Sequence, residues 1–261
     1  MKRPDFAVPI GILVGLTTIC GGAMIEGLRL GVLFQPNAAL IVIGGTVGAI
    51  IVRRGISGLV AALRAATSLC FEEDRTEIEV TQARLAWLAR LAKREGVQVL
   101  EAHASNSRDP LIVQALTLAA QYAEPAVIRE RLERILDYED ECGLHEVTLL
   151  EGAASYAPTF GILGAVLGLI QVLRALADPA TLGVGIATAF VATIYGVGVA
   201  NLILFPLAAR LRERHLGRMR QREAVAEALV ALASHETPGV ILRKFAAEPG
   251  LVSHKGKALT G

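Results

Sequence analysis

The chain has 261 residues, 53% hydrophobic but only 5% aromatic, with a mean hydropathy of +0.49. That bias excludes an ordinary soluble domain. The net charge of +1 is the remainder of two opposed halves. From Arg53 to Ser155 there are 12 Lys and Arg against 17 Asp and Glu, a net of −5; from Leu207 to Gly261 there are 10 against 5, a net of +5.

Most of the apolar residues fall in four blocks with the charges between them, the pattern of an all-α, polytopic membrane protein with a helical polar domain. The first block, Phe6 to Ile25, follows Lys2 and Arg3. A signal peptide has the same basic start, but this run is too long for one, and a second block, Leu33 to Val52, follows almost at once. The short turn between them makes residues 1–52 a transmembrane hairpin. Gly11 and Gly15, then Gly44 and Gly48, are four apart, a spacing that lets membrane helices pack closely.

Residues 53–155 read as a helical cytoplasmic domain. Leu85, Leu88, Ala89 and Ala92 recur at helical spacing, and Gly96 supplies a stop. Asp109 before Pro110 has the form of an N-cap followed by proline in the first turn. Glu124-Pro125 opens another helix, with Ile128, Leu132, Ile135 and Leu136 on one face.

The third block starts at Tyr156 and has no charged residue until Arg174. Gly161 and Ala165 are four apart, as are Gly164 and Gly168, so the helix has flat faces for a neighbour. Pro158 marks a bend or a helix end. The fourth block, Leu182 to Ala209, contains Thr188, Thr193, Tyr195 and Asn201, a small-residue face of Ala192, Gly196 and Ala200, and Pro206 close to its end. Residues 156–209 thus form a second transmembrane hairpin, in which Pro158 and Pro206 are expected at similar depth. Residues 210–261 form a C-terminal helix and tail, its basic run a topology anchor rather than a nucleic-acid patch.

Orientation follows from the cations. Lys2, Arg3, Arg53, Arg54, Arg64 and the Arg run 210–222 flank one side, whereas the opposite turns hold only Arg29 and Arg174. Both termini are therefore expected in the cytoplasm. Spans three and four hold no Asp, Glu, Lys or His. If the chain conducts ions, it must take its titratable group from a partner. The residues form no Walker loop or nucleophile elbow, the five His are isolated, and Cys20, Cys70 and Cys142 are dispersed. The expectation is no enzyme, no cofactor and no metal.

Residues 156–170 resemble the third span of the stator branch of the MotA/TolQ/ExbB family. Residues 26–31 with 40–46 resemble that family's first hairpin, 189–206 its fourth span and 237–245 its C-terminal segment. Four spans suit the MotA branch, since TolQ and ExbB have three. The resemblance implies a flagellar motor stator subunit of the bacterial inner membrane that couples proton flow to torque on the rotor. It implies a homopentamer around a MotB-like single-span partner that supplies the ion-carrying Asp, and contact with a FliG-like rotor switch protein. Pro158 and Pro206 match the family's two functional prolines, and Thr193 matches the threonine of the ion path. Sodium-driven relatives carry Thr where Ala165 stands, which implies protons here. The family's rotor contact is an Arg with a Glu eight residues later. Glu101 is the Glu, and Lys93 stands at strict register with Arg94 beside it. Gly161, Gly164, Gly168 and Gly196 would pack the helices. The alternatives are a TolQ/ExbB-like energiser of an envelope complex and a non-conducting membrane scaffold.

Overall fold

The computed structural model describes residues 5–71, 76–107, 109–174 and 179–246, with the side chains of 76–79, 179–181 and 184 also outside the description. Lys2 and Arg3 of the orientation argument lie outside it. The described residues form helices and no strand. They divide into two compact units, residues 1–72 with 144–213 and residues 73–143 with 214–261. Hydropathy and packing therefore cut the chain at different places. Hydropathy finds where apolar runs begin, whereas packing groups the polar ends of long helices with whatever they touch.

The first unit begins with α1 (Ala7–Ile25), an uncharged, mostly apolar helix with no buried residue. After a turn at Gly27 come α2 (Leu30–Leu33) and α3 (Pro36–Ala39). The expected second span, Leu33 to Val52, lies within this stretch but is not one unbroken helix. Gln35 is extended at φ −119°, ψ 95°, because the residue before a proline is pushed out of the helical region, so the helix restarts at Pro36. A π-helical turn, Leu40–Gly44, leads into α4 (Gly45–Ser68). The expected end at Val52 is overrun by a few residues. The break comes at Gly55, whose φ 69°, ψ −176° is a conformation essentially reserved for glycine.

The unit is completed by residues 144–174 of α8 (Pro125–Arg174), by α9 (Pro179–Gly198), by a second π-helical segment, Val199–Leu204, and by the first residues of α10 (Phe205–Ala233). Four described helical stretches are long and apolar enough to cross a membrane: Ala7–Ile25, Leu30–Ser68, Pro125–Arg174 and Gly185–Ala233.

The second unit holds α5 (Thr76–Glu95), a 3-10 turn at Val97–Val99, α6 (Leu100–Ala104), α7 (Pro110–Ala120), the first residues of α8, most of α10, and α11 (Pro238–Ala246). Gly96 stops α5 as expected, at φ 87°. Asp109 caps α7 by accepting the Leu111 N–H at 3.0 Å. The core is aliphatic, with Leu88, Leu100, Leu111, Leu116, Ile128, Leu132 and Leu229 all below 2% exposure. Ile128 and Leu132 are on the face that their spacing indicated.

Candidate functional site

The site is the contact of α8 with α9 inside the first unit. Their small residues bring two backbones together. A Cβ on Gly161 would lie 2.9 Å from the Ala192 carbonyl oxygen and 3.2 Å from the Gly196 Cα. One on Gly164 would lie 2.7 Å from the Ala192 Cβ, and one on Gly168 would lie 2.8 Å from the Ala189 nitrogen. One on Gly196 would lie 2.7 Å from the Ala157 carbonyl oxygen. All four glycines are buried. The chain supplies no side chain at these points because none fits between the two helices.

Pro158 sits inside α8, one turn before Gly161, with its Cα 3.1 Å from where a Gly196 Cβ would be. It is not a helix end. Having no N–H, it leaves the Ala154 carbonyl without its usual donor four residues on. Ala165, seven residues later, is on the same stripe of α8 and is half-buried. The Thr193 Cα lies 3.4 Å from a Gly161 Cβ position, and its exposed hydroxyl donates back to the Ala189 carbonyl at 3.4 Å. Pro158 and Thr193 thus both lie beside the Gly161–Gly196 contact, with Ala165 two turns farther along the same stripe.

Pro206 does not join them. Gly161 faces Gly196 and Gly168 faces Ala189, a register that sets Pro158 opposite Val199. Pro206 then lies about seven residues farther along, about 10 Å at 1.5 Å per residue. The expectation of similar depth is corrected by this register. Pro206 is the second residue of α10, directly after the π-helical Val199–Leu204. A proline ring clashes with the carbonyl four residues back, here that of Leu202, and the wider π turn leaves room for it. The helix therefore passes through Pro206 without ending.

Hydrogen bonds that the sequence did not signal tie the start of the second span to α9. The Tyr195 hydroxyl donates to the Leu33 carbonyl at 2.5 Å and accepts the Gln35 N–H at 3.3 Å. A groove of ≈ 500 Å³ opens there, lined by Phe34, Pro36, Leu40, Ile43 and Tyr195 among others. The basic run is also more than an anchor. Arg210 pairs with Asp5, and Arg212 reaches Glu151 at 2.7 Å. Arg53 donates to the Thr148 carbonyl at 3.1 Å, its guanidinium over Gly152, where a Cβ would collide with it.

In the second unit Lys93, Arg94 and Glu101 are all exposed, with Gly96 between the cations and the acid. The unit is also held by ion pairs between residues far apart in the chain. Arg222 donates to Asp109 at 2.5 and 2.9 Å and to Glu139 at 2.6 and 2.8 Å. Burial works to strip its proton, but the hydrogen bonds to the two carboxylates outweigh it, and its pKa is raised. Arg129 pairs with Glu227, which holds the Glu227 carboxyl below its usual range. His215 meets Asp140 at 2.7 Å and lies against Gly143, where a Cβ would strike its ring. These pairs are 75 to 113 residues apart in the chain, and no local pattern announces them. Among the described residues no cluster could hold a metal ion.

Four membrane-length helices, two of them joined backbone to backbone, define a multi-pass membrane protein. Residues 103–224 match the MotA/TolQ/ExbB proton channel family, and residues 9–96 match the Motility protein A N-terminal family. By these two matches the chain is similar to the MotA/TolQ/ExbB proton channel family and, in its N-terminal part, to Motility protein A. It is 28% identical to Motility protein A of Bacillus subtilis over 90% of this chain and 87% of that protein. It is 29% identical to Motility protein A of Treponema pallidum over 92% of each. The fold matches a chain of the flagellar MotAB stator complex from Bacillus subtilis with a TM-score of 0.79 and 28% identity, covering 92% of this chain and 94% of that one.

Proposed function

We infer that the chain is the ring-forming subunit of a flagellar motor stator in the bacterial inner membrane, and that it couples proton flow to torque on the rotor. The observation that carries this is the chemistry of the apolar spans. They pack closely through Gly161, Gly164, Gly168 and Gly196, present the Thr193 hydroxyl, and contain no Asp, Glu, Lys or His between Tyr156 and Leu173 or between Leu182 and Ala209. A proton pathway needs a titratable group, so a single-span MotB-like partner contributes the membrane Asp. Five copies of the chain surround two partner helices, both termini face the cytoplasm, and the residues around Lys93, Arg94 and Glu101 meet a FliG-like rotor protein. Pro158 and Pro206 shape the two helices beside the ion path.

The test is deletion of the gene in its own host, with complementation. Swimming should be lost while filaments remain, and replacing the partner's membrane Asp by Asn should reproduce the loss. Normal swimming in the deletion strain, where no second stator set is present, would refute the reading.

A further inference from the structure

We propose that Tyr195 is a positioning residue of the ion path: its hydroxyl latches α9 to the broken start of the second span and so fixes the roll of the helix that carries Thr193. The proposal rests on the stator reading and deepens it.

The latch begins with Pro36. Gln35 is extended ahead of the proline, so α2 and α3 do not join. Among the described residues no backbone group bonds the Leu33 carbonyl or the Gln35 N–H. Orphaned main-chain groups are costly at membrane depth, where no water replaces the lost partner. The Tyr195 hydroxyl meets both of them, donating to the Leu33 carbonyl and accepting the Gln35 N–H. Thr188 stands seven residues earlier on the same stripe of α9 and donates to the Gln35 Oε1 at 3.4 Å. The break in the second span is thus tied to α9 at two points.

The ring of Tyr195 is held as well as its hydroxyl. It packs against two buried clusters, Ala38 with Val191 and Ala192, and Val42 with Ala157 and Ala200. Val42 and Ala200 belong to the two π-helical segments.

The other contact of α9 cannot supply such a latch. Against α8 it presents Ala189, Ala192 and Gly196. Faces of small residues set how closely two helices approach, but they are smooth and resist rolling weakly. A hydrogen bond is directional and weakens steeply off line. Thr193 is two residues from Tyr195, about 200° around the helix. It is exposed, whereas Tyr195 is half-buried. A roll of α9 that takes the Tyr195 hydroxyl off Leu33 turns the Thr193 hydroxyl through the same angle on the opposite side. The latch therefore sets where Thr193 stands on the face left open to other chains.

The experiment uses the full chain with its partner, carrying Tyr195→Phe, Tyr195→Leu or Thr188→Val. Readouts are hydrogen exchange of the peptide that holds Gln35 in the purified complex, membrane abundance, and bead rotation per stator unit at low and at high load. Near stall a motor works close to equilibrium and its torque follows the ion gradient. At low load its speed follows the rate of ion transfer. Misplacing Thr193 slows the unloaded motor and spares the torque near stall, whereas a merely structural loss lowers both. Tyr195→Phe should accumulate normally and exchange the Gln35 amide about fivefold faster, the shift that one lost hydrogen bond makes in an equilibrium. Its low-load speed should fall by a similar factor with torque near stall kept. Tyr195→Leu should be slowed at least as much, and Thr188→Val should show the same split more weakly.

Unchanged exchange or unchanged low-load speed in Tyr195→Phe overturns the proposal, and so does an equal loss at both loads. If Tyr195→Phe fails to accumulate, Thr188→Val decides by the same split. The deletion strain separates the two levels. If it swims, the stator reading fails and takes the positioning role with it. If it does not swim and Tyr195→Phe rotates normally, the positioning role alone fails.

Discussion

Gly161 and Gly196 meet backbone to backbone, so that a Cβ on Gly196 would stand 3.0 Å from the Gly161 Cα and 2.7 Å from the Ala157 carbonyl oxygen. Neither helix can yield locally, because the atoms in the way are main chain. Gly161→Val or Gly196→Val is expected to push α8 and α9 apart and lower stability by about 1–3 kcal/mol, the cost of overpacking a well-filled contact. Gly217→Ala is the control. That position has nothing within 4 Å of an added Cβ and should be neutral or gain helix propensity of about 1 kcal/mol. The melting temperature of the purified complex measures both, and equal melting of Gly161→Val and wild type would refute the packing argument.

Pro158 and Pro206 interrupt hydrogen bonding in two helices that nevertheless continue. Pro158→Ala restores a donor for the Ala154 carbonyl. Pro206→Leu removes the reason for the π turn before it and favours a regular helix through residues 199–205. Each variant is expected to accumulate in the membrane at wild-type level while the motor stops. The check is immunoblotting of membranes alongside bead rotation, and a normally rotating Pro158→Ala would leave that proline without a role in the ion path.

Much of this architecture is legible in the chain because it is written locally. The apolar blocks, the α8–α9 glycine spacings, the stop at Gly96 and the cap at Asp109 each depend on a few neighbouring residues, and the structure places them as their patterns imply, whereas an added Cβ on Gly11 or Gly48 of the first hairpin would meet nothing within 4 Å, so those spacings pack no helix here. What local pattern could not give was register between helices. Pro158 and Pro206 both stand near the polar ends of apolar runs, yet the offset between them follows from how Gly161 seats against Gly196. Long-range pairing was equally hidden. Arg222 has the look of one more cation in a basic run, and only folding brings it to Asp109 and Glu139.

The Arg129–Glu227 pair makes a signed prediction about pH. The Arg129 guanidinium depresses the Glu227 carboxyl below its ordinary value of 4.5, so the stability that it contributes is complete above that value and is lost as pH falls through the lower folded one. Both side chains are more than two-fifths exposed, so the contribution is screened to about 1 kcal/mol or less. Glu227→Gln should flatten the acid limb of a melting-temperature profile below about pH 4.5 by that small amount and leave the neutral value lower by the same. A larger acid sensitivity in the variant than in wild type would reverse the sign and refute it.

Ala165 bears on the identity of the ion. It lies on the stripe of Pro158, half-buried, level with the turn of α9 that carries Thr193. A sodium ion gives up its water only to a shell of several oxygens at close range. Alanine offers none, and the Thr193 hydroxyl, which donates to the Ala189 carbonyl, supplies only one side-chain oxygen. A proton needs no such shell, since it can pass between water and a carboxylate one bond at a time. Motors built on this chain are therefore expected to turn at full speed in sodium-free medium and to stop when an uncoupler collapses the proton gradient in the presence of sodium. Swimming speed tracked through exchange of sodium for potassium, then after addition of the uncoupler, separates the two ions. A motor that slows with sodium removal at constant proton gradient would show that oxygens from elsewhere complete a sodium shell beside Ala165.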